Sequence, residues 1–242
     1  MDLSGFFQFI LLAVMVILIS VGLDRLYATV VPFRSLYYAI RLPGVVLHEI
    51  AHMIGCLVTG AEIRKVVYFS QEGGSVTYSE PRIPVVGTVI ISTAPLFFLP
   101  LILAGLTWIF GTYFGCSVPQ VVPLTGDLVT GSEDMFRNVI TLFSSNLVVH
   151  FNGWFFLYLF LCGSIVLSLA PSGQDFRNAA IGIGSLLVIC LLIVNSGFGP
   201  GIALISLIAS PMITAFSTGL LFEMIAVIVA LPVVVIFLAR RS

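Results

Sequence analysis

Charge is what this chain lacks. Only 9% of its 242 residues are charged and 59% are hydrophobic, where soluble domains carry roughly a quarter charged residues. That excludes a soluble globular domain and leaves a multi-pass membrane protein with the lipid bilayer as its surroundings. The net charge is −1 and no basic patch gathers, which excludes nucleic acid as a partner. Cysteine is scarce too. Cys56, Cys116, Cys162 and Cys190 lie far apart, mostly inside apolar runs, and form neither a CxxC pair nor a disulfide framework. The first apolar run, Phe6 to Gly22, lacks a basic leader and an A-x-A-like cleavage site, so it reads as a retained helix.

What is present is a series of apolar runs. Six spans are expected, at about 6–23, 36–59, 83–110, 148–170, 178–196 and 212–239, since about 20 apolar residues cross a bilayer. The stretch from Gly199 to Pro211 reads either as a re-entrant helix or as the start of the last span. Between the second and third spans, Val66 to Phe69, "QEGG" and Ser75 to Tyr78 predict a β-hairpin, because β-branched and aromatic runs flank a glycine turn. Between the third and fourth, Ser132 precedes acids and then Phe136, Val139, Ile140 and Phe143 at helical spacing, predicting a surface helix. With six spans, Arg64, Lys65, Arg82, Arg177, Arg240 and Arg241 fall on one side, and Arg25, Arg34, Arg41 and Arg137 on the other. This bias predicts a cell-membrane protein with the hairpin and both termini cytoplasmic.

Against this apolar ground, "PGVVLHEIAHMIGCLVTGA" carries His48, Glu49 and His52 inside the second span. The histidines are i and i+4, on one helix face about 5–6 Å apart, so both can reach one ion, and Zn²⁺ suits nitrogen ligands. Glu49 stands where it can take a proton from a zinc-bound water. Each buried charge costs about 2.5–3.5 kcal/mol on insertion scales, which argues for use over a structural polar cluster. A catalytic zinc takes three protein ligands. His150, Asp175 and Glu223 are the remaining ionisable candidates away from loops and ends. Asp175 follows the helix breakers Pro171 and Gly173, where it could instead serve as an N-cap-like residue opening the fifth span.

These residues resemble the site-2 protease family of intramembrane zinc metalloproteases. The family pairs HExxH on one transmembrane helix with a later Asn-x-x-Pro…Asp-Gly segment. "HEIAH" matches at His48, Glu49 and His52, and "SLAPSGQD" matches in part, with Ser168 for the usual Asn and Phe176 after Asp175. The resemblance implies Asp175 as third zinc ligand, Glu49 as general base, and one Zn²⁺ per chain. It implies an all-α polytopic fold with a three-helix catalytic core and a small hairpin after the HExxH helix. The core covers about 35–180, with additions at 1–34 and 181–242. The substrate would be a transmembrane segment of a membrane protein, unwound near the site and held by the hairpin as an added strand. Ser168, Asn146, His150 and Asn152, in that order, are candidates for stabilising the oxyanion. Two other classes fit the same residues: a membrane metal transporter, which would spread its ligands along a path, and an inactive zinc-binding scaffold.

Overall fold

The computed structural model describes residues 3–68, 73–119 and 128–239. Its helices are α1 (Leu3–Val30), α2 (Arg34–Thr59), α3 (Pro84–Tyr113), α4 (Leu128–Ser144), α5 (Trp154–Val166), α6 (Gly173–Ser196) and α7 (Gly199–Ala239), with strands β1 (Ile63–Val67) and β2 (Ser75–Tyr78) between α2 and α3. Four of them, α1, α2, α3 and α7, are long and apolar enough to cross a membrane. Six were expected. The two that fall short are α5, with 13 residues, and α6, whose apolar part is Gly182–Ser196.

Contacts between named residues give the helix directions. Asp24 on α1 meets Tyr37 and Arg41 on α2, so these two helices form a hairpin. Gly55 packs on Ile91, and Gly87 lies beside Thr59, so α3 runs back along α2. Tyr158 bonds to Thr107 and Trp154 meets Phe114, so α5 is antiparallel to α3. Gly44 and His48 of α2 meet Ser164 and Ser168 in the same order, so α5 runs with α2. Beyond a break at 167–172, Asp175 reaches His48 and His52, and Gly182 abuts Val89 near the C-terminal end of α2. Hence α6 continues in the direction of α5. The chain then reverses at Gly197 and Phe198, and Gly201 packs on Ile193. Finally Phe9, Val16 and Tyr27 meet Phe216, Gly219 and Ala226 in order, so α7 is parallel to α1.

The ambiguous stretch 199–211 is neither re-entrant nor separate: it opens α7, a single 41-residue helix. At about 1.5 Å per residue it is about 60 Å long, twice the hydrocarbon thickness of a bilayer.

The hairpin is present and antiparallel, with Val67 opposite Ser75, Val66 opposite Val76 and Lys65 opposite Thr77, and a shifted register between Ile63 and Lys65. Phe69, Gln71 and Glu72 of its expected turn lie outside the described residues. The surface helix begins at Leu128, a turn before Ser132. Met135, Val139 and Leu142 are its buried stripe, while Phe136 and Ile140 face outward. The periodicity is there, one residue out of phase with the sequence reading. The main core joins α1, α3, α4, α5 and α7 around Leu99, Leu103, Phe155, Tyr158 and Phe222. Large exposed apolar residues such as Leu18, Trp108, Leu192 and Leu207 suit helix faces turned to lipid.

Candidate metal centre

The site is built first by the local chemistry of α2. Pro43 cannot donate to the helical ladder, and the next amide, Gly44 N–H, donates instead to Ser164 Oγ at 2.8 Å. Gly44 has no Cβ, and the Ser164 carbonyl occupies the space one would fill. This seam locks α2 against α5 one turn before His48. Gly60, with φ 69°, ends the helix in a left-handed conformation that glycine takes at little cost.

His48, Glu49 and His52 are all buried. His48 Nδ1 lies 2.8 Å from the Ser168 carbonyl oxygen and His52 Nδ1 2.8 Å from that of Ile91. A carbonyl only accepts, so each Nδ1 carries a proton, and in the neutral ring each Nε2 presents a lone pair. Both lone pairs converge on Asp175, with His48 Nε2 at 3.7 Å from Oδ2 and His52 Nε2 at 3.5 Å from Oδ1. Two imidazole nitrogens and a carboxylate converging in this way form a group that could hold a metal ion. The donor set fits zinc. Bonds of about 2.0–2.2 Å in a tetrahedron put ligand atoms roughly 3.3–3.6 Å apart, and here the three lie within 4.8 Å of one another. Backbone carbonyls holding the far side of each imidazole are the usual outer support of a metal-binding histidine.

Asp175 is placed by its own helix end. Ser172 caps α6: its Oγ accepts from Asp175 N–H at 3.1 Å, and Asp175 Oδ2 accepts from Ser172 N–H at 3.1 Å and from Ser172 Oγ at 2.6 Å. The capping alternative is realised, mainly through Oδ2, and the same carboxylate also faces both histidines. Oδ1 is left facing His52.

A cavity of about 270 Å³ opens beside the cluster, lined by His48, Glu49, Ser168, Gly74, Arg41 and Asp24 among others. Glu49 Oε2 is buried without a hydrogen-bond partner among the described residues. Gly74, from the hairpin, lies against Glu49, so that a Cβ there would sit 2.5 Å from Glu49 Cγ. Asp24 and Arg41 pair at 3.0 Å, and both hold Tyr37 Oη.

The other expected residues separate cleanly. Ser168 lines the cavity with its hydroxyl buried and without a hydrogen-bond partner among the described residues. Asn146 donates to the Ser117 and Leu142 carbonyls and accepts from Ser117 N–H, and Asn152 binds the Phe114 carbonyl and Trp154 N–H. Both are structural. His150 is exposed and outside the cluster. Glu223 is fully buried on α7, with neither oxygen hydrogen-bonded, and is not part of the cluster. Sequence reasoning passed over Ser172, although Ser-x-x-Asp before an apolar run is a capping-box pattern. It took Gly74 for a turn residue alone. Its contact with Glu49 joins residues 25 apart and leaves no local signal. Comparison with family models, curated proteins and solved structures yields no match to this chain.

Proposed function

We propose that this chain is an intramembrane zinc metalloprotease of the site-2 protease kind, cleaving peptide bonds in or near transmembrane segments of other membrane proteins. The observation that carries the reading is the meeting of His48, His52 and Asp175 beside a cavity that also holds an unpartnered Glu49. When bound, zinc would supply a Lewis acid that polarises a carbonyl and acidifies water. The chain's own groups do the rest. His48 and His52 would hold the ion through Nε2, with Nδ1 engaged by the Ser168 and Ile91 carbonyls. Glu49 Oε2 accepts the proton of the attacking water and passes it to the leaving amine. The Ser168 hydroxyl is free to donate to the developing oxyanion.

The same reading gives five crossings: α1, α2, α3, an interrupted α5–α6, and α7. Because α1 and α7 are parallel, the two ends of the chain would lie on opposite faces, in place of six spans with both termini in the cytoplasm. Irregular backbone at membrane depth is tolerated where it is buried in protein or lines a wet cavity, and the break at 167–172 does both.

A transporter or scaffold is disfavoured because the ligands cluster at one depth, with Glu49 beside them. Purified wild type, Asp175→Ala and Glu49→Gln are compared for zinc content and for cleavage of single-span peptides, followed by mass spectrometry. Asp175→Ala should lose zinc. Glu49→Gln should keep zinc and lose about 10²–10⁴ of the rate. An active Glu49→Gln would remove the hydrolytic reading, and a fully zinc-loaded Asp175→Ala would remove the ligand assignment.

A further inference from the structure

We infer that Ser20, on α1, is a positioning residue for the metal centre. This rests on the zinc-site reading above. The break between α5 and α6 brings both the Ser168 carbonyl, which orients His48, and the Ser172–Asp175 cap to the site. A helix break frees backbone groups that must find partners when buried. Ser20 supplies two. Its Oγ donates to the Val166 carbonyl at 2.6 Å and accepts from Ala170 N–H at 3.0 Å. It is fully buried, and its two bonds bracket Ser168. The break is thus held from two helices, by His48 on α2 and by Ser20 on α1. A helix outside the motif-bearing core therefore sets where two of the three ligands stand. One hydroxyl, acting as donor and acceptor at once, stands between the Ala170 N–H and the Val166 carbonyl, which also accepts from Leu169 N–H at 3.3 Å.

The test is zinc affinity, by titration against a chromophoric chelator, with amide hydrogen exchange of residues 167–172 in the zinc-free protein. Ser20→Ala should weaken zinc binding by about tenfold and Ser20→Thr, which keeps the hydroxyl, by less than about threefold, the scale of outer-shell support. Exchange at 167–172 should accelerate in Ser20→Ala. Should that variant not fold, Ser20→Cys, of similar size but a poor hydrogen-bonder, carries the comparison. Tyr158→Phe is the control: it deletes another buried bond, to Thr107 Oγ1 at 2.9 Å, away from the site. It should lower the melting temperature and leave zinc affinity unchanged. Wild-type affinity in Ser20→Ala, or an equal loss in Tyr158→Phe, would overturn the inference. Wild-type zinc binding in His52→Ala would instead overturn the zinc-site reading on which it depends.

Discussion

Asp175 does two jobs with one carboxylate. Oδ2 closes the cap of α6 with Ser172, while Oδ1 faces His52. The cap orients the ligand without any residue dedicated to that task. The opposite economy holds at Gly74, where a missing side chain makes room for a needed one. A methyl group there would meet Glu49 Cγ at 2.5 Å and Oε1 at 2.6 Å, so Gly74→Ala must push either the hairpin or the carboxylate aside. Displacement of a catalytic group by about 1 Å costs on the order of 10²-fold in rate. We expect Gly74→Ala to keep its zinc and lose activity on that scale, measured by metal content and peptide cleavage on one preparation. The two histidines and Glu49 were legible in the sequence because their spacing is a local helical property. The carbonyls of Ser168 and Ile91 that orient them were not, because any residue type supplies a carbonyl.

At the scale of elements, α2 is held to α5 by a contact that only glycine permits. Gly44 N–H meets Ser164 Oγ at 2.8 Å, and a Cβ at 44 would collide with the Ser164 carbonyl. Gly44→Ala should therefore destabilise the protein by about 1–3 kcal/mol, the usual range for overpacking a tight interface. The readout is the melting temperature in detergent, with Gly105→Ala, where nothing lies within 4 Å, as the comparison that should change little. The hairpin was legible from its β-branched runs and glycines. The phase of α4 was not. Phe136 and Ile140 share the helical period of Val139, but the neighbouring helices cover the face carrying Met135 and Leu142. Periodicity identifies a stripe, and only packing says which stripe is inside.

For the whole molecule, the number of crossings decides which segments share a face. The start of α1 and the β-hairpin should lie on one face, and the α1–α2 turn and the end of α7 on the other. With single cysteines at Ser4, Ser75, Phe33 and Leu238, in a background without the native cysteines, one pair alone should label from outside intact cells, either Ser4 with Ser75 or Phe33 with Leu238. Labelling of Phe33 alone, with Ser4, Ser75 and Leu238 protected, would restore the six-span arrangement with cytoplasmic termini.

The sequence by itself determined the membrane-like setting and the placing of His48 and His52 on one face of the second helix. Both follow from local quantities: composition against the length of a bilayer, and a helical period that puts His48 and His52 on one face. It also marked Asp175, through the helix breakers before it. Only the tertiary structure decided that α5 and α6 run in one direction across the break at 167–172. A break within a span and a loop between spans have the same proline and glycine signature, and only neighbours on α2 and α3 tell whether the chain turned back. The same holds for Ser20 and Gly74. Each acts on a segment distant in the chain, and neither carries the meaning of that contact in its own surroundings.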